Sequence, residues 1–98
     1  MPRWPYKNLR ERLFVNSGLD ANGCWPWLGA RSKTGYGRMN VWRDGRIVAT
    51  NAHRVAFEEY VRPCELGEEV DHTCYNRACI NPDHLEAVTK SENLRRRR

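Results

Sequence analysis

Apolar positions recur along this 98-residue chain with two different periods, and the changes of period outline its elements. Over residues 7–16, Leu9, Leu13 and Phe14 fall on one expected face of a short amphipathic helix that ends near Gly18. Asp20 to Gly23 is rich in turn formers, and Cys24-Trp25-Pro26-Trp27-Leu28 follows as a short extended piece. The stretch Tyr36–Arg43 reads as a strand that meets Asp44-Gly45, a strong two-residue hairpin signal, and Arg46–Ala49 returns as its partner. This register sets Arg43 opposite Arg46, a like-charge pair that costs tenths of a kcal/mol up to ~1. Thr50 or Asn51 is expected to cap a helix from Ala52 to about Val61, with Val55 and Phe57 reaching the core and Pro63 stopping it. Glu69–His72 and Leu85–Val88 read as short strands separated by irregular chain through Pro82. Thr89-Lys90-Ser91-Glu92 is a capping box, so a final helix starts at Thr89.

The expected class is α+β: a strand-loop-strand-helix unit preceded by a hairpin and helices. No repeat, linker or shift in composition divides the chain, so residues 1–98 form one expected domain. A domain this small, with a mean hydropathy of −0.84, has a modest core and gains from a metal staple. No run approaches the ~18 apolar residues of a membrane span. The opening Met-Pro-Arg-Trp-Pro-Tyr lacks the charged-then-apolar pattern of a secretion leader, so an intracellular, cytoplasmic chain with no membrane partner is expected.

Charge is unevenly spread within a net +5. Residues 1–57 carry ten Lys or Arg against three acids, residues 58–94 three against nine, and Arg95–Arg98 closes the chain with four positive charges. A polyanion suits the two basic parts, with Arg38, Arg43 and Arg46 on the hairpin as the best backbone contacts and the Arg tail as a second grip. The acidic middle suits recruitment of a cation, or is simply a solvated face.

Four cysteines, Cys24, Cys64, Cys74 and Cys79, are open to two readings. A secreted chain would form two disulfides, whereas in a reducing compartment clustered cysteines beside a histidine are metal ligands. Cys74, Cys79 and His84, each separated by four residues, supply three donors for a tetrahedral structural zinc. The fourth is Cys24 or Cys64. Cys24 is better placed, since a turn presents it and a Trp-Pro-Trp piece anchors it. Four protein ligands would close the site, which makes zinc scaffold rather than catalyst.

Beside that cluster stand Asp71-His72 and, at the start of the last helix, Asn93. Phosphodiester hydrolysis needs an activated water and a cation that neutralises charge on the leaving oxygen. Neutral imidazole suits the first role; carboxylate and amide oxygens are hard donors suited to Mg2+ or Mn2+. In a strand Asp71 and His72 point to opposite sides, so they share one site only if the strand ends and twists there.

Three segments then resemble the phage-type HNH endonucleases: Ala52-His53-Arg54-Val55-Ala56; Val70-Asp71-His72-x-Cys74-x4-Cys79-Ile80-Asn81-Pro82-x-His84-Leu85; and Glu92-Asn93. They are also similar to the zinc-stapled His-Cys box homing endonucleases. Gly23-Cys24-Trp25-x-Trp27 and Gly35-Tyr36-Gly37-Arg38 extend the likeness, which covers residues 22–95. The resemblance implies a ββα-metal finger with its catalytic motif over 68–98. It implies His72 as general base, Asp71 and Asn93 as ligands of the catalytic cation, and Cys24, Cys74, Cys79 and His84 as zinc ligands. It implies Arg54 at the scissile phosphate, Asn81 as a loop brace, and His53 as either a site residue or a packed helix-start residue. The expected activity is metal-dependent cutting or nicking of double-stranded DNA by a monomer or homodimer. A zinc-stabilised DNA-binding module without catalysis is the alternative.

Overall fold

The computed structural model describes residues 8–96. Helix α1 spans Leu9–Val15, with the Asn8 side chain accepting from the Glu11 amide at its start. Leu13 is fully buried and Leu9 packs against the core, but Phe14 is 74% exposed, contrary to expectation. Leu9 and Leu13 are four residues apart and share a face, whereas Phe14, five from Leu9, is carried about 140° around the helix. Lys7, expected at the helix start, lies outside the described residues.

Strands β1 (Arg38–Arg43) and β2 (Arg46–Asn51) form an antiparallel hairpin. Asp44 and Gly45 both take positive φ, 49° and 78°, as a tight right-twisted hairpin turn requires. Arg43 does stand opposite Arg46, but Glu58 lies 3.6 Å from Arg43 and offsets part of that repulsion. Pairing begins at Arg38 rather than Tyr36 and runs on to Asn51, so helix α2 (Ala52–Tyr60) leaves the strand with no intervening loop. Asn51 holds the cap position but makes no capping bond, because its Oδ1 accepts from the Arg38 guanidinium at 2.7 Å.

Strands β3 (Glu68–His72) and β4 (Leu85–Thr89) pair antiparallel, with Asp71 opposite Glu86 and His72 opposite Leu85. Thr89 then caps α3 (Lys90–Arg95) by accepting from the Glu92 amide, and β3, β4 and α3 make the expected ββα unit. One core joins both hairpins: Leu13, Trp27, Met39, Val41, Val55, Phe57, Val70, Ile80 and Leu85 are all buried in it. Trp27 is its keystone, with Nε1 donating to the Arg38 carbonyl. Gly37 must be glycine, since a Cβ there would sit 2.8 Å from the indole ring. Among the described residues, no helix is long and apolar enough to cross a membrane.

Leu13→Ala is expected to cost about 2–5 kcal/mol, as deletion of a fully buried leucine does. Phe14→Ala should stay within ~0.5 kcal/mol, the usual range for an exposed site. Urea unfolding of the two variants checks the assignment of the helix face.

Candidate metal centre and active site

Cys24, Cys74, Cys79 and His84 converge, with their donor atoms all within 4.8 Å of one another. His84 Nδ1 lies 3.5 Å from Cys24 Sγ and 3.6 Å from Cys79 Sγ. Tetrahedral zinc with Zn–S ~2.3 Å and Zn–N ~2.0–2.1 Å requires nitrogen-sulfur edges of roughly 3.6 Å, so the spacing fits the ion. The donor chemistry fits too. Burial, then the neighbouring Cys79 and Cys74 thiols, push the Cys24 thiol up to about 12, and a cation among them removes that obstacle to ionisation. The group could hold one zinc. Cys64 takes no part; it packs beside the core, and its amide donates to Glu58. All four cysteines are free thiols, so the disulfide reading is not what the fold forms.

Backbone pairing carries Cys24 to the others. Asp20 Oδ1 accepts from the Asn22 and Cys24 amides, which shapes the turn. Trp27 then donates to the Ala78 carbonyl, and Ile80 to the Trp25 carbonyl, so the Cys24 arm runs antiparallel to the metal loop. Asn81 is the brace expected of it: its Nδ2 donates to the Gly23 carbonyl at 2.7 Å while its Oδ1 caps the turn Pro82–His84. Gly23 has φ +80°, in the left-handed region where glycine is least strained.

Asp71, His72 and Asn93 line one cavity of about 700 Å3. His72 ends β3, and the chain turns there, so it and Asp71 reach the same space. His72 Nε2 lies 3.0 Å from the Cys79 carbonyl, which can only accept; Nε2 therefore donates, and in the neutral ring Nδ1 is left with the lone pair. His72 is buried, its ring 4.4 Å from His53 and 5.9 Å from Tyr36. Buried Asp71 lies 3.4 Å from the Arg96 guanidinium, which also contacts Glu86 at 2.9 Å and Glu92 at 3.2 Å.

The other expected site residues lie apart from that cavity. Arg54 pairs with Glu58 at 3.8 Å and donates to the Glu68 carbonyl at 3.4 Å, and it does not line the cavity. Arg38 is tied to Asn51 and Arg43 to Glu58, while Arg46 is exposed. Tail residue Arg95 pairs with Glu92; Arg97 and Arg98 lie outside the described residues. Sequence reasoning missed Tyr36, Glu69, Tyr75, Arg77 and Lys90, which line the cavity, and read Arg96 only as part of the tail. The available signal was positional: Tyr75 and Arg77 lie inside the Cys74-x4-Cys79 loop, and Lys90 and Arg96 flank Asn93 at three residues either side.

His53 is a packed residue in contact with the site. Burial, reinforced by neighbouring His72, pushes its pKa down to about 3, against a hydrogen bond to the Val70 backbone that raises it. Its Nδ1 is buried without a hydrogen-bond partner.

Purified protein should contain one zinc per chain. Cys24→Ser should lose most of it and melt lower, while Cys64→Ser keeps both metal and stability, as elemental analysis and thermal melts will read. Since structural zinc is worth ~10–16 kcal/mol in small peptides, a strong chelator should unfold the domain. A second expectation concerns pH. Between about 3 and the unfolded value of ~6.5, the unfolded chain binds a proton that folded His53 refuses. Stability should therefore fall as pH drops from about 7 to 5.5, and His53→Phe should flatten that slope in urea titrations, with the zinc ligands common to both proteins.

Comparison with known proteins adds a family model and phage relatives. A family model described as HNH endonuclease matches residues 50–95. Protein 2.8 of Escherichia phage T7 is 35% identical over 85 residues, covering 87% of this chain and 56% of its own length. The gene 5.3 protein of Enterobacteria phage T3 is 33% identical over 66 residues, 65% of each chain. The chain thus spans between half and two thirds of the length of these relatives. No solved structure matches it. The matched segment contains α2, the metal loop, His72 and Asn93, so it is residues 50–95 of this chain that match the HNH endonuclease family.

Proposed function

We propose that the chain is a metal-dependent endonuclease that hydrolyses phosphodiester bonds of double-stranded DNA. The observation that carries this reading is the state of His72. Its Nε2–H is spent on the Cys79 carbonyl, and it shares a cavity with the hard oxygen donors of Asp71 and Asn93. A base held in one tautomer beside a cation site is what hydrolysis of a phosphodiester requires.

His72 Nδ1 takes the proton of the attacking water as its oxygen approaches phosphorus. Asp71 and Asn93 would hold Mg2+ or Mn2+, which would supply neutralising charge for the departing 3′ oxygen. Two protein donors are few for such a cation, so water and the substrate phosphate complete its shell and affinity without DNA is low. The ends left are a 5′ phosphate and a 3′ hydroxyl. The Cys3His group stays outside the chemistry, since four protein ligands leave zinc no open position.

The scissile phosphate is better served by Arg77 and Lys90, which line the cavity, than by Arg54, which does not. Arg38, Arg43 and Arg46 are proposed contacts to the DNA backbone, with Arg46 the most available. The relatives are phage proteins, which supports action in the cytoplasm of an infected cell. One site cuts one strand, so a monomer nicks and a homodimer breaks both.

Plasmid cleavage with Mg2+ or Mn2+ tests the reading. His72→Ala should lower the rate by about 10²- to 10⁴-fold, the usual worth of a general base, with zinc content and circular dichroism unchanged. A His72→Ala protein that cuts at the wild-type rate sinks the assignment. Wild-type protein that binds DNA but never cuts it favours a zinc-stabilised binding module.

A further inference from the structure

We infer that Tyr75 is a substrate-contacting residue that stacks on a nucleobase beside the scissile phosphate, at a base step opened from its normal stack. The inference rests on the proposed nuclease function and adds to it the local form of the bound DNA.

Tyr75 has φ +62°, one of two non-glycine residues in the left-handed region among those described. The other, Asp44, occupies a hairpin turn where a short polar residue is at home. A bulky aromatic residue in this region is an outlier, because its Cβ crowds the adjoining backbone, and glycine or asparagine would relax it. Burial does not account for the choice either, because Tyr75 is 67% exposed. Neither backbone preference nor core packing therefore favours tyrosine at this position, and such outliers gather where a ligand is met.

Its placement points to that ligand. Tyr75 lines the same cavity as Asp71, His72 and Asn93, and its amide donates to the His72 carbonyl at 3.4 Å. The chain on both sides is pinned. Cys74 belongs to the metal group, and Asn76 accepts from the Ala78 amide through its side chain and from the Cys79 amide through its carbonyl. The ring is thus carried on a stiff support. Nearby, Tyr36 has the Arg77 guanidinium over its ring at 5.3 Å, so a second aromatic ring stands at the same cavity.

A flat aromatic beside a phosphodiester site and basic side chains recognises a base by its face. In an intact duplex both faces of a base are covered by its neighbours. Tyr75 can therefore stack only where the step is kinked or a nucleotide is unpaired.

The test measures DNA binding by fluorescence anisotropy, without added divalent cation, on a continuous duplex and on one with a single unpaired central nucleotide. Wild-type protein should prefer the second at least about threefold, a modest share of what stacking supplies. Tyr75→Ala and Tyr75→Gly should each weaken binding to it about fivefold or more, and Tyr75→Phe less than about twofold, since only the ring is needed. Thermal melts give an independent readout: Tyr75→Gly relieves the backbone, so its Tm should equal or exceed the wild-type value. Tyr75→Gly that binds like wild type overturns the inference. So does a Tyr75→Phe loss as large as that of alanine, which would point to the hydroxyl, or a lowered Tm in Tyr75→Gly, which would make the residue structural. Wild-type protein that binds neither duplex overturns the nuclease reading as well, and so marks that failure apart from the others.

Discussion

Cys79 is the residue on which the arrangement turns, because it faces two ways. Its sulfur joins the Cys24, Cys74 and His84 donors, and its carbonyl accepts from His72 Nε2. The metal group thereby fixes the backbone oxygen that selects the His72 tautomer. Scaffold and candidate chemistry are separate in space but coupled through one residue. Closing the group with Cys24 also draws the N-terminal third against the ββα unit, where Trp27 fills the core between the two hairpins. In a domain of this size hydrophobic burial alone is a thin margin, and zinc held by the four donors would supply a long-range constraint the core cannot.

Electrostatics divides the molecule in a related way. Asp71, Glu86 and Glu92 would repel one another, and Arg96 lies among all three. Because its guanidinium is shared and partly exposed, each pair is individually weak. On the hairpin the logic is reversed: Arg43 faces Arg46, and Glu58 from α2 moderates the pair without removing it. An excess of positive charge remains on that ribbon, which suits a polyanion.

Much of this was legible in the sequence, for reasons that can be named. The Asp44-Gly45 turn and the Thr89–Glu92 capping box are local chemistry, and both elements form where expected. Cysteine and histidine carry strong ligand signals, and the choice of Cys24 over Cys64 followed from which one a turn could present. What stayed hidden depends on tertiary partners. Asn51 reads as a cap until Arg38, thirteen residues earlier, takes its side chain. Arg54, set at the phosphate by the family resemblance, is engaged in the fold by Glu58 and the Glu68 carbonyl. In each case a residue type suited to one role is recruited by a neighbour that only the fold supplies.

The four-residue spacing between Cys74 and Cys79 is loose for a zinc knuckle, where two intervening residues are common. The fold gives that looseness a use. A two-residue spacer is consumed in turning the chain, whereas four leave room for side chains that face away from the metal. Tyr75 and Arg77 occupy that room, and both line the cavity that holds His72. The loop therefore has a metal side and a cavity side, and it presents residues to the second with the stiffness of the first. Where the proposed substrate lies, its nearest protein neighbours are set by metal-ligand geometry rather than by a free loop. This favours a constellation positioned before DNA arrives over one assembled by it.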